Sequence, residues 1–402
     1  MEWKRLGVRI SIWIVLQFGI LTAGAAPQLS LSIVNNLPGD ASVNAYITGL
    51  DSGNRLVLLQ PDGTWYRPDA ATQSSTPTRI ATDVAIPLGP YRSVSVVDIP
   101  GYVTGGRIWF VVGTLTFSTV LDANGLVTLV EPSVTDPSNP NIGMQWGFIE
   151  LTYSETDGLF ANISYVDFVS LALGLSLQSA DGSKQMARGL PAHAARLICD
   201  SLQMQARIDG QPWDQLCVMD AAGDVIRVLS PANYVSKQPT AFNDYYRDYV
   251  DQFWMTYSHG LLTLNTDNAA GVIECTVSDA LLTCSGDNFG YSKPSTADIF
   301  GCSSGPFAIG DGDNEIHRAV VPILCAAFTR TTLLSDDGNI EPQLDSTSYY
   351  TTSPSNYYSK IVHDYEVDGK GYAFPYDDVG KGQAGLVSST SPKLLTITVG
   401  GP

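Results

Sequence analysis

MQWGFIELTYSETDGLFANISYVDFVSLALGLSL, residues 144–177, reads as two apolar-rich strands folded back on a polar loop. Asp157-Gly158 is a strong hairpin signal, because glycine accepts the positive φ that tight turns between twisted strands demand. With a two-residue loop, Thr156 pairs with Leu159 and Glu150 stands opposite Tyr165. Asp167 then lies diagonal to Glu150 on the same face, roughly 7–8 Å away. Any even loop length keeps that shared face, since strand side chains alternate with period two.

Outward from this hairpin, the preceding chain reads as strands. Residues 29–34 alternate apolar and polar side chains, as a half-buried strand does. Residues 91–97, 107–112 and 126–130 repeat the theme, separated by turn signals such as Pro61-Asp62-Gly63, Ile99-Pro100-Gly101 and Asn124-Gly125. After about Leu177 the period changes. Residues 192–208, 243–258 and 317–334 carry apolar side chains at helical spacing, with strand-like pieces at 260–264 and 271–277. A Ser/Thr/Tyr-rich loop follows at 345–358, and strands return at 360–366 and 394–399. The expected architecture is mainly β: a sandwich or barrel built from residues 27–175 and 340–402, interrupted by a mixed α/β domain at 176–339.

The composition narrows the functional classes. Lys4, Arg5 and Arg9, a short apolar run and Ala23-Gly24-Ala25 make residues 1–26 a secretory signal peptide. The apolar run is shorter than the roughly 20 residues a membrane anchor needs, so no membrane association is expected. Charged residues are 15% of the chain, against about 25% in ordinary soluble proteins. Ser, Thr, Asn, Gly and Tyr replace them, a surface suited to neutral polymers. A net charge of −18 repels phosphate backbones, which argues against nucleic acid. The six cysteines, even in number in a secreted chain, read as disulfides. Short loops favour the neighbour pairs Cys199–Cys217, Cys275–Cys284 and Cys302–Cys325. Their spacing does not suit zinc, and no metal or other cofactor is expected.

Glu150 and Asp167 each sit among apolar neighbours, Phe148-Ile149-Glu150-Leu151 and Tyr165-Val166-Asp167-Phe168. Desolvation there would raise a carboxyl pKa and suit it to acid catalysis. Inverting glycosidases hold their two carboxyls about 6.5–9.5 Å apart, leaving room for water. The diagonal spacing fits that chemistry. Two unrelated acids facing solvent would show the same pattern. Trp146 shares the Glu150 face by parity, either in the core or in a groove. Tyr372, Phe374 and Tyr376 form either a sugar-stacking wall or ordinary packing, and Asp377 and Asp378 either bind hydroxyls or cap a turn. Asn162-Ile163-Ser164 is a glycosylation triplet inside a strand, expected to stay unmodified.

The strings Phe148-Ile149-Glu150-Leu151-Thr152-Tyr153 and Ala161-Asn162-Ile163-Ser164-Tyr165-Val166-Asp167-Phe168 resemble those of glycoside hydrolase family 64 β-1,3-glucanases. Gly371-Tyr372-Ala373-Phe374-Pro375-Tyr376-Asp377-Asp378 and the N-terminal Val34-Asn35-Asn36 look like the related thaumatin-like proteins. The resemblance spans essentially the whole mature chain. It implies a thaumatin-like sandwich joined to an α/β domain across a broad groove. It further implies an inverting hydrolase that cuts β-1,3-glucan to short laminari-oligosaccharides, notably the pentaose; the chain is expected to act as a monomer. Glu150 is then the general acid and Asp167 the general base. Thr152, Ser154 and Phe160 fall at glucan-contacting positions, with Trp146, Tyr376 and Asp377 as further candidates. Ser154 and Phe160 depart from the family's Asn and Trp. A non-catalytic thaumatin-like glucan-binding protein is the alternative.

Overall fold

Alternation builds the first strand: Leu29–Asn35 turns Leu29, Leu31 and Ile33 inward and leaves Ser30, Ser32 and Val34 half-buried. The computed structural model describes residues 28–380 and 382–402, so the signal peptide read from residues 1–26 lies outside the described residues. Pro392–Val399 runs parallel to the first strand, with Ser30 opposite Leu394 and Asn35 opposite Val399. The pairing expected between the two ends of the sandwich is therefore present. The full sheet has five strands in the order Lys184–Ala187, Leu173–Ser179, Pro392–Val399, Leu29–Asn35, Val94–Ile99.

A second sheet of eight strands faces it. Its acid-bearing part runs from the edge strand Leu386–Ser389 through Gly158–Ile163, Trp146–Ser154 and Val103–Val112 to Val43–Leu50. Ile149, Leu151, Ile108, Phe110, Ala45 and Ile47 point inward and meet Leu31, Ile33, Leu175, Leu395 and Ile397 of the first sheet. Burying each large apolar side chain contributes about 1.5–3 kcal/mol, so this interface contributes heavily to stability. The sandwich is two open sheets, with no closed barrel.

The outer face of the eight-stranded sheet is divided. One part is covered by a small sheet of Thr78–Arg79, Ser118–Leu121 and Val127–Val130, enclosing a second core around Tyr46, Trp109, Phe117, Trp146, Phe148 and Phe168. The other part, carrying Glu150, Thr152, Phe160 and Asn162, is only partly covered.

The middle of the chain packs helices Arg247–Tyr257 and Glu315–Arg330 near a five-stranded sheet of its own, and Ala194–Asp209 against strand Val225–Leu229 and helix Tyr357–Tyr365. The disulfides are the three neighbour pairs expected. Strand pairing moves the expected domain boundaries. Residue 176 falls inside Leu173–Ser179, which is paired with Pro392–Val399, so the sandwich continues to Ala187. Ile340–Glu341 pairs instead with the middle sheet at Leu262–Asn265. The strand expected at 360–366 is a helix, Tyr357–Tyr365. Asn356 caps it by accepting from Ser359 N at 3.1 Å, and Tyr358, Ile361, Val362 and Tyr365 follow helical rather than alternating spacing.

Candidate active site

The hairpin forms, but in a different register from the one expected. Ser154 pairs with Gly158, and Glu150 stands opposite Asn162 rather than Tyr165. Three residues, Glu155 to Asp157, make the loop, and Gly158 takes φ +74° at its end. Asp-Gly thus closes a three-residue turn with a left-handed glycine, the next most common hairpin after the two-residue form. A side chain at 158 would also meet Ser389 O at 2.2 Å. Ser154 serves this loop: its hydroxyl accepts from Asp157 N at 3.0 Å.

The register differs by an odd number, which in a continuous strand would send Asp167 to the opposite face. The strand does not continue. It ends at Ile163, Ser164 bridges to Tyr372, and the chain bends at Val166 and Asp167 before pairing again at Phe168. The bend re-aims Asp167 toward the Glu150 side, where both carboxylates act electrostatically on Arg107. Its backbone carbonyl accepts from Ser230 N at 2.9 Å and Asn233 Nδ2 at 3.0 Å, at the start of helix Pro231–Lys237. Phe168, next in sequence, packs 4.6 Å from the Trp146 ring and anchors the bend to the second core.

Glu150 is half-exposed, with its side chain 39% accessible. Asn162 Nδ2 donates to one of its oxygens at 3.2 Å and Arg107 Nη2 to the other at 3.3 Å. Asn162 is therefore engaged at the site. Asp167 is more enclosed. Burial pushes its pKa up, Arg107 and a 3.2 Å hydrogen bond from Asn233 pull it down, and Glu150 and Glu131 push it up again. Arg107 also bonds Glu131, and its guanidinium lies 4.7 Å from the Phe148 ring. Burial works against its charge, but Glu131, Glu150 and Asp167 outweigh that and hold it protonated.

The remaining candidates divide. Thr152 and Phe160 are cross-strand partners on the Glu150 face, and Phe160 is 41% exposed. Trp146 is not available to a ligand: it is 2% exposed, enclosed by Trp109, Phe148 and Phe168. Parity put it on the right face, and the covering sheet buries it. Asp377 is also withdrawn, at 1% exposure. It bonds Arg330 Nη2 and His363 Nε2, both at 2.9 Å, and Ala373 N at 2.8 Å. Its neighbour Asp378 is the exposed one. It bonds the half-buried Tyr372, whose hydroxyl also feels Glu150. Tyr376 is half-buried in the same loop, and Phe374 is buried.

Arg107, Glu131 and Asn233 escaped the sequence reading. Arg107 did leave a signal, as the one charged residue in Val103–Val112. No spacing marked Glu131 or Asn233, which reach the site from distant segments.

A family model for β-1,3-glucanases matches residues 27–399. Two relatives named glucan endo-1,3-beta-glucosidase, from Cellulosimicrobium cellulans and an Arthrobacter species, are each 27% identical over 301 residues. These alignments cover 73% of this chain and 51% of each relative, so the chain spans about half the length of the curated relatives it matches. Among solved structures, a laminaripentaose-producing β-1,3-glucanase in complex with laminaritetraose aligns with a TM-score of 0.81 at 25% identity. The alignment covers 92% of this chain and 98% of that one. With a family model spanning nearly all the described residues and the acid-bearing hairpin in place, the chain belongs to the β-1,3-glucanases of glycoside hydrolase family 64.

Proposed function

We propose that this protein is a secreted, inverting endo-β-1,3-glucanase that releases short laminari-oligosaccharides, with Glu150 as general acid and Asp167 as general base. The observation that carries the reading is the difference between the two carboxylates. Glu150 lies on the open face within reach of a bound polymer, while Asp167 is enclosed and made more basic by burial. A proton acceptor works best when its basicity is raised yet it remains ionised. Arg107 and Asn233 favour the ionised form of Asp167.

Glu150 protonates the glycosidic oxygen as the bond to the anomeric carbon breaks. Asp167 takes a proton from the water attacking that carbon from the opposite face, and configuration inverts. Phe160 offers an apolar ring to a glucose face, and Thr152 and Asp378 offer hydrogen bonds along the groove. Secretion agrees with the three disulfides. Among the described residues no helix is long and apolar enough to cross a membrane.

The test is incubation of the purified protein with curdlan and laminarin, with soluble products followed by NMR. Laminari-oligosaccharides that first appear as α-anomers are expected, the pentaose among them. A β-anomer appearing first would overturn inversion. Binding without soluble sugar would leave a glucan-binding protein instead.

A further inference from the structure

Glu131 ends the strand Val127–Val130 of the small covering sheet and reaches the guanidinium of Arg107, which rises from the eight-stranded sheet beneath. The same guanidinium donates to Glu150 at 3.3 Å. A cation beside a general acid is a difficulty. It favours the carboxylate and opposes the protonated form that catalysis consumes. Arg107 cannot simply turn away, because its guanidinium stacks on Phe148 at 4.7 Å and Trp109 at 5.3 Å.

We propose that Glu131 is a positioning residue of the glucanase reaction: it takes one edge of Arg107 and offsets its charge, so that Glu150 can hold the proton it must donate. This rests on the assignment of Glu150 as the acid. Glu131 touches neither reacting atom; it acts by its charge, as the counter-ion of Arg107 and on the carboxylate pair itself. Its carboxylate also repels the negative charge of Asp167. The other groups facing the pair come from different elements. Asn162 and Asn233 are neutral donors, and Tyr372 and Asp378 come from the loop bridged to Ser164. Tyr358, whose hydroxyl bonds Tyr165 O at 2.6 Å, faces Asp167. None of these competes for Arg107 as Glu131 does.

The sign is fixed. Without the Glu131 charge, the enclosed Asp167 binds protons less well, and the coupled carboxylates titrate lower as a pair. Both limbs of the bell-shaped kcat/KM profile should then slide to lower pH, by roughly one pH unit for a charge at this range. The experiment compares Glu131→Gln, Arg107→Met and the double variant on laminarin across pH, with melting temperatures alongside. Glu131→Gln should move both limbs acidward, costing about tenfold in kcat/KM on the alkaline limb. Arg107→Met should move them to higher pH, and the double variant should return them toward the unsubstituted enzyme.

An active Glu131→Gln protein with unmoved limbs overturns the proposal, even if it is slower, because a purely structural role predicts slowing alone. If Glu131→Gln does not fold, the decision passes to Arg107→Met against the double variant. Identical limbs in those two overturn the proposal. Retained activity in Glu150→Gln would instead remove the assignment on which this rests, and is scored separately.

Discussion

Arg330, His363, Asp377 and Glu366 form a sealed cluster of two cations and two anions, whereas Arg107 faces three carboxylates on a partly open surface. In the sealed cluster each charge has an opposite partner within 2.9 Å. Burial works to lower the His363 pKa, but Asp377 and Glu366 overcome it and raise it to about 10. That balance leaves no proton free to move. In the open cluster the anions outnumber the cation, so an added proton relieves repulsion. Balance marks a scaffold, and imbalance at a surface marks a place where protons are exchanged. The sealed cluster still serves the open one, because it holds the loop carrying Tyr372 and Asp378.

The two clusters should differ most at the proposed catalytic pair. Glu150→Gln and Asp167→Asn should each lower kcat by about 10²–10⁴-fold, the usual contribution of a positioned acid or base. Melting temperature should stay nearly constant. A large loss of stability in either would mean that the open cluster is scaffold too. Asp377→Ala should do the reverse. Stranding Arg330 and His363 should cost about 3–5 kcal/mol in urea unfolding, with kcat largely retained in the molecules that fold.

Stability against pH sharpens the contrast. His363 titrates near 6.5 when unfolded and near 10 when folded, so the folded state binds the extra proton between those values. Its contribution is complete below pH 6.5 and is lost as pH rises toward 10. Glu341, pushed up by burial to about 7, acts in the same direction between about 4.5 and 7. Melting temperature should therefore fall from pH 5 to pH 9.5, and His363→Gln should flatten the upper part of that curve. A flat curve in the unsubstituted protein would mean that His363 is neutral. The smallest effect belongs to Asn233→Ala. Losing its bond to Asp167 should lower kcat by roughly tenfold, equivalent to about 1.4 kcal/mol, and move the acid limb to higher pH. An unmoved limb would exclude Asn233 from setting the basicity of Asp167.

Much of this was legible in the sequence for physical reasons. Leu29–Asn35 and the later half of Trp146–Ser154, from Ile149 on, alternate because one face is buried and the other is not. The neighbour disulfides follow from loop length. The helix Tyr357–Tyr365 was misread because Ile361 and Val362 favour strands locally, while the Asn356 cap and the packing of Tyr358 decide otherwise. The proposed acid pair rests in the sequence on a register that the structure does not adopt. A three-residue loop reverses the parity, and the bend after Ile163 undoes the reversal. Such a bend is set by Tyr372, Ser230 and Asn233, all distant in sequence, so no local pattern announces it. Asp377 and Asp378 differ in the same way, since only the arrival of His363 and Arg330 decides which one is buried.

The sheet order of the sandwich carries a consequence for how the chain matures. Pro392–Val399 is the central strand of its sheet, flanked by Leu29–Asn35 and Leu173–Ser179. Synthesis therefore makes both flanking strands long before the strand that joins them. Until it arrives, Leu29, Leu31 and Ile33 have no partner strand on that side, and loop closure spans almost the whole described chain. Contacts this distant in sequence slow folding, and the waiting edges invite pairing between chains. A chain stopped before Pro392 would keep Glu150 and Asp167 intact in sequence. It would nevertheless emerge as an aggregation-prone intermediate, with the sheet behind the Glu150 strand missing its middle.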